Sequence, residues 1–235
     1  MQEKQDIFVY FVNSWYDARQ IFLSKYAFMT TRVIGISGPS GSGKSWFSEH
    51  LKDLIETRFG AGSVTILQED CYYNDQTEMS FEERCQCNYD HPEAFEHELL
   101  AQQLARLKSG EAIEAPLYDY SNHNRRKETQ TIPPANLVIV EGIMLFHNTH
   151  LRDELELKIY IDTPWDICLM RRIQRDTKER GRSLDSILQQ YETTVRPMLK
   201  QFLAPTVQHA DITINGYQTL DEEVFGLANQ VSQLL

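Results

Sequence analysis

Between Arg32 and Phe59 the chain runs from RVIGIS, short and β-branched, through Gly38-Pro39-Ser40-Gly41-Ser42-Gly43-Lys44-Ser45 into an apolar-striped segment. The middle eight residues match G-x-x-x-x-G-K-[ST], a pattern a chain of this composition meets by chance on the order of a few times in a thousand. The surroundings narrow the choice further. RVIGIS reads as a buried strand, and Gly43 to Phe59 as a helix with Phe47, Leu51, Leu54 and Ile55 along one face. A Gly/Ser linker would not explain Lys44-Ser45 opening an amphipathic helix. The chemistry explains the residue types: glycines let backbone N–H groups converge on phosphate oxygens, and the helix N-terminus adds favourable dipole charge. Lys44 is then placed to reach the β- and γ-phosphates, with the Ser45 hydroxyl as a ligand for Mg²⁺.

Strand and helix patterns alternate through the rest of the chain. SVTIL (63–67), LVIV (137–140), LKIYI (157–161) and DITI (211–214) read as further strands. Helices are expected over 92–108 with Pro92 in the first turn, over 166–179, over 185–202 with an interruption at Pro197, and over 220–234. Residues 112–131 change character, IEAPLYDY and KETQTI flanking a polar turn, which predicts a β-hairpin inserted outside the main sheet. The expected fold is α/β with three layers: a P-loop NTPase-type, mostly parallel sheet flanked by helices. Residues 29–235 would form this one domain. Residues 1–28 are read either as an extra helix or as upstream sequence that is not natively translated, and the second is preferred because everything the domain needs follows Met29.

The whole chain of 235 residues carries 23 basic and 34 acidic side chains, net charge −11. That argues against a general nucleic-acid binder, which presents a basic surface. No apolar run approaches the ~20 residues that span a bilayer. The N-terminal stretch has neither the charge layout nor the cleavage site of a signal peptide. Cys71, Cys85, Cys87 and Cys168 lack the paired C-x-x-C spacing of a zinc site and read as reduced thiols in a cytoplasmic protein.

Against that acidic background, RRIQRDTKERGR (171–182) holds six basic residues and two acidic ones, with five arginines to one lysine. Planar guanidinium groups suit bidentate contact with phosphate oxygens, so this island reads as a lid closing over a transferring phosphoryl group. A solvated helix face is the bland alternative. Glu141, ending LVIVEG, falls where a carboxylate can orient Mg²⁺, and Asp70 follows the second strand. For each the alternative is a surface acid, Glu69 and Asp70 then forming a solvated loop.

Taken in order, GPSGSGKS (38–45), QEDCYY (68–73), NYDHPEAFE (88–96), PLYDYSNHNR (116–125), VEGIML (140–145), the basic island and TVRPMLKQFLAPT (194–206) resemble the uridine kinase family from about residue 31 to residue 215. The resemblance implies transfer of the γ-phosphate of ATP or GTP to the 5′-hydroxyl of uridine or cytidine. It makes Asp70 the general base, Asp90 the holder of ribose hydroxyls, and Tyr118 and His123 the contacts to the pyrimidine, with Tyr73 in the same pocket. Arg172, Arg182 and Gln190 would complete the nucleoside site, while Arg175 and Arg180 would face the triphosphate. A homotetramer is implied as well. Trp46 is large for its place, Val207 and Gln208 stand where the family often carries lysines, and His147 and His150 read as surface. Two rivals stand: a related kinase acting on a sugar phosphate or pantothenate, kept in play by Arg125, Arg126 and Lys127, and a nucleotide-binding regulatory protein without catalysis.

Overall fold

The runs marked as strands lie side by side in a computed structural model that describes residues 31–217 and 220–235; the expected extension 1–28 falls outside the described residues. In chain order come β1 (Arg32–Ser37), α1 (Lys44–Phe59), β2 (Val64–Gln68), α2 (His97–Lys108), β3 (Ile113–Asp119) and β4 (Asn124–Ile132). Then follow β5 (Leu137–Gly142), α3 (Thr149–Glu154), β6 (Leu157–Asp162), α4 (Trp165–Glu179), α5 (Leu184–Gln190), β7 (Ile212–Asn215) and α6 (Leu220–Ser232). The main sheet has the order β2-β5-β1-β6-β7, and every pairing in it is parallel.

Successive side chains of a strand point to opposite faces, and here each face has its own core. Val33, Val138 and Val140 meet Leu100, Leu104 and Leu107 of α2 on one side. Ile34, Ile36 and Ile139 meet Phe47 and Leu51 of α1 and Val231 of α6 on the other. Burial on both faces is why β5 reads as an unbroken apolar run rather than an alternating one. Phe47 is wholly buried; its replacement by Ala is expected to cost about 3–5 kcal/mol, measured by urea unfolding. A shift of less than about 1 kcal/mol would mean that this face tolerates repacking.

The hairpin stands apart as expected, β3 and β4 forming their own antiparallel sheet with an irregularity between Pro116 and Tyr118. Two helix expectations need correction. Pro92–Ala94 is a single 3₁₀ turn and the helix begins only at His97. Between them the backbone is spent on tertiary pairing: Phe95 bridges Tyr73, Asn74 N–H donates to Ala94 O at 2.8 Å, and Glu96 N–H to Tyr72 O at 2.8 Å. Nor does Pro197 interrupt its helix. The chain stays helical there, with wide π turns at Tyr191–Val195 and Leu199–Leu203 on either side that accommodate a ring with no N–H to give.

Candidate active site

The phosphate loop joins β1 to α1, and its glycines are required by close approach. At Gly41 φ is +87°, and a Cβ would lie 2.5 Å from the Cys168 carbonyl oxygen; Gly43, at φ +106°, caps α1 in the left-handed region. Lys44 is buried, and its Nζ donates to Gly38 O at 2.8 Å and Pro39 O at 3.1 Å. Burial lowers its pKa from the ordinary lysine value, opposed by the charges of Glu141 and Asp70. Arg171 borders the cavity and also braces the loop: Nη1 donates to Ser42 O at 3.1 Å and Gly216 O at 3.1 Å, and Thr163 Oγ1 donates to the same Ser42 carbonyl at 2.9 Å.

Two carboxylates face this loop. Glu141 is the penultimate residue of β5, level with Ile36 of β1 and Gln68 of β2, and its Oε2 accepts from Ser45 Oγ at 2.9 Å. Burial raises its pKa, with Lys44 pulling the other way. A hydroxyl and a carboxylate at that spacing are the hard oxygen donors that Mg²⁺ takes together with phosphate oxygens and water, so the residues fit the ion. Asp70 lies in the 3₁₀ turn Glu69–Tyr72 after β2, and Tyr120 Oη donates to its Oδ2 at 3.1 Å. The neighbouring Glu69 is no solvated loop acid. It is wholly buried, with Oε1 2.8 Å from His97 Nε2 and Oε2 accepting the Met144 N–H at 2.9 Å. It thereby pins the turn that presents Asp70.

Beyond Asp70 the wall becomes aromatic. Tyr73 stacks on Phe95 with ring centroids 4.5 Å apart and meets Tyr118 at 5.0 Å and Tyr89 at 5.1 Å. His123, at the hairpin turn with φ +50°, lies nearly parallel to Tyr89 at 5.6 Å. Its pKa is lowered by burial and by Arg182 and Arg180, which favours the neutral ring near neutral pH. Asp90 is buried; desolvation raises its pKa and the Arg172 charge opposes that. Gln190 Oε1 accepts from Arg172 Nη2 at 2.9 Å and Arg182 Nη1 at 2.6 Å. Arg180 sits over the Tyr120 ring, 4.8 Å from its centroid.

The phosphate loop, the two facing carboxylates and the aromatic wall border one cavity of about 740 Å³. Its wall includes Ser40, Gly41, Gly43, Lys44 and Ser45 at one end, and Tyr73, Asp90, Tyr118, His123 and Gln190 at the other. Asp70, Glu141 and the arginines 171, 172, 175, 180 and 182 border it too, whereas Gly38, Pro39 and Ser42 do not. Trp46 reaches the rim, stacked on His50 at 3.7 Å. Tyr89, Tyr120, Glu69, His97 and Asp176 were not singled out by the sequence. Asp176 had a readable signal, because Arg172, Asp176 and Arg180 follow the four-residue spacing of one helix face. His147 and His150 are exposed, as expected.

A parallel sheet with a phosphate loop after β1, a carboxylate facing the loop serine, and a second pocket continuous with the loop define a P-loop kinase. The chain belongs to the Phosphoribulokinase / Uridine kinase family, whose profile matches residues 33–222. It is 50% identical over 182 residues to a uridine kinase of Escherichia coli strain K12, covering 77% of this chain and 85% of that relative. A uridine kinase of Proteus mirabilis strain HI4320 is 49% identical over the same shares. Among solved structures, phosphoribulokinase from Rhodobacter spheroides superposes with a TM-score of 0.62 at 15% identity, covering 81% of this chain and 74% of that one; at such identity the likeness concerns the fold.

Proposed function

We propose that this chain is a nucleoside kinase of pyrimidine salvage, transferring the γ-phosphoryl group of ATP to the 5′-hydroxyl of uridine or cytidine. The observation that carries the reading is one cavity bordered by Lys44, by Tyr118 and His123 of the hairpin, and by Asp70, which acts electrostatically on both Lys44 and Tyr118. Identity of 50% to a uridine kinase over most of both chains supports the same acceptor class.

In this mechanism Asp70 takes the 5′-hydroxyl proton as that oxygen forms its bond to the γ-phosphorus. The bond from that phosphorus to the β–γ bridging oxygen breaks, and the nucleoside diphosphate leaves. Lys44, Arg175 and Arg180 face the charge on the transferring oxygens, and loop N–H groups hold the phosphates. Ser45 and Glu141 would hold Mg²⁺, which supplies positive charge to the bound phosphates. Asp90 accepts from ribose hydroxyls, the Tyr118 face and the His123 ring select the base, and Arg172, Arg182 and Gln190 close the nucleoside side. Positioning and electrostatics do most of the work. GTP serves as an alternative donor in this reading, and the active form is a cytoplasmic homotetramer, in line with the family resemblance. Among the described residues no helix is long and apolar enough to cross a membrane.

The sugar-phosphate alternative is not favoured. Arg125 is engaged by Glu96 at 2.6 Å, and Arg126 and Lys127 are exposed on β4 and do not border the cavity. The regulatory alternative predicts loss of the reacting groups, yet Asp70, Lys44 and the arginines share one cavity.

The deciding experiment is a coupled nucleoside-diphosphate release assay with ATP, Mg²⁺ and uridine, cytidine, adenosine, thymidine, ribulose 5-phosphate or pantothenate. Turnover confined to uridine and cytidine is expected. Turnover with the sugar phosphate instead would overturn the acceptor assignment, and none at all despite ATP binding would favour the regulatory protein. Within the same assay, His123→Ala should raise the nucleoside KM about tenfold or more, the scale of one lost pocket contact, and leave the ATP KM nearly unchanged. Equal rises in both would remove His123 from the acceptor pocket.

A further inference from the structure

Asp176 has no exposed surface, yet four guanidinium groups converge on its carboxylate. The two oxygens divide them. Oδ1 faces Arg175, whose Nε and Nη2 both lie at 2.9 Å, and Arg180, whose Nη1 lies at 3.7 Å. Oδ2 faces Arg182 Nη1 at 3.4 Å and Arg172 Nε at 3.6 Å. The second pair also shares Gln190 Oε1. In the proposed mechanism this partition matches that of the substrates: Arg172 and Arg182 serve the acceptor side with Gln190 and Asp90, and Arg175 and Arg180 the donor phosphates, Arg180 also standing over the Tyr120 ring of the hairpin at 4.8 Å.

Four cations this close repel one another; water reaches Arg175, Arg180 and Arg182 from outside and moderates that repulsion, while Arg172 and Asp176 are buried. One buried carboxylate, fixed on the inner face of α4, holds them in register. A shift of either pair moves the oxygen-bearing group on which the other pair rests.

We propose that Asp176 is a positioning residue that couples the two substrate sites, so that a nucleoside engaging Arg172 and Arg182 sets Arg175 and Arg180 for the triphosphate. The proposal rests on the nucleoside-kinase reading. Coupling of this kind is reciprocal, so each ligand tightens the other by the same factor.

The test measures the uridine Kd by calorimetry on the full chain, with and without a β,γ-imido ATP analogue and Mg²⁺. The wild-type ratio of the two Kd values is expected to be about fivefold or more. In Asp176→Asn it should fall close to one, and Asp176→Glu should restore part of it. A residue that only stabilises the fold would lower the melting temperature and leave the ratio unchanged; that result overturns the proposal, as does a wild-type ratio of one.

Should Asp176→Asn fail to fold, a cycle of Arg175→Met, Arg182→Met and the double variant addresses the same coupling with the carboxylate in place. Non-additive effects on uridine affinity at saturating analogue support the link between the two oxygens, and additive effects overturn it. Wild-type turnover of uridine, measured alongside, separates the two levels: its absence removes the nucleoside-kinase reading, whereas its presence with an unchanged ratio removes only the coupling.

Discussion

Asp70→Asn is expected to lower kcat by about a thousandfold, the scale of a lost general base, while nucleotide affinity stays near that of the wild type. Asn keeps the shape and an oxygen for the Tyr120 hydroxyl, which now donates to Asp70 Oδ2 at 3.1 Å. What it loses is the ability to take a proton. Because Asp70 sits after β2 rather than in the phosphate loop, the loop N–H groups and Lys44 remain available to the nucleotide. Steady-state turnover with uridine and calorimetric titration with ADP read the two quantities separately. Turnover within about tenfold of wild type would exclude Asp70 as the base.

Lys44→Met comes next in size, with an expected loss of about a hundred- to a thousandfold in kcat, the range seen when one preorganised charge-stabilising donor is removed. The ammonium is held by two loop carbonyls, and burial lowers its pKa. A charge kept in so dry a place acts strongly on phosphate oxygens as negative charge moves between them. Met matches the length of the side chain and discards the charge. Stability should change little, since the desolvation of the ammonium and the loss of its two hydrogen bonds act in opposite directions. Single-turnover rates at saturating ATP and uridine provide the check; an unchanged rate constant would place Lys44 in binding alone.

Features fixed by local rules were legible in the sequence. The strand runs, the phosphate loop and the separate hairpin each depend on residues within a few positions of one another, and the structure differs from expectation there by only a residue or two at each end. Features created by contacts between distant segments were not. The Phe95–Tyr73 bridge that delays α2, the burial of Glu69 against His97 and Met144, and the carriage of Pro197 through a helix by flanking π turns all depend on tertiary neighbours. The same holds inside the site. Lys44, Ser45 and Glu141 follow from pattern and strand position, whereas nothing in the basic island foretold that Arg171 also ties the loop to Gly216. Tyr120 carried no signal beyond its place in the hairpin.

The hairpin has a consequence for how such an enzyme changes over time. Its roots, Ile113, Ala115 and Ile132, are anchored in the apolar interior beside α2, while Ser121 and His123 near its tip border the cavity. Neither strand joins the parallel sheet that carries the phosphate loop. Under the proposed acceptor assignment, mutations near the tip can therefore retune which acceptor is taken up at little thermodynamic penalty, leaving the phosphate loop intact. New acceptor preferences within this architecture should arise first as replacements between β3 and β4, well before any change in the strands that present Lys44 and Glu141.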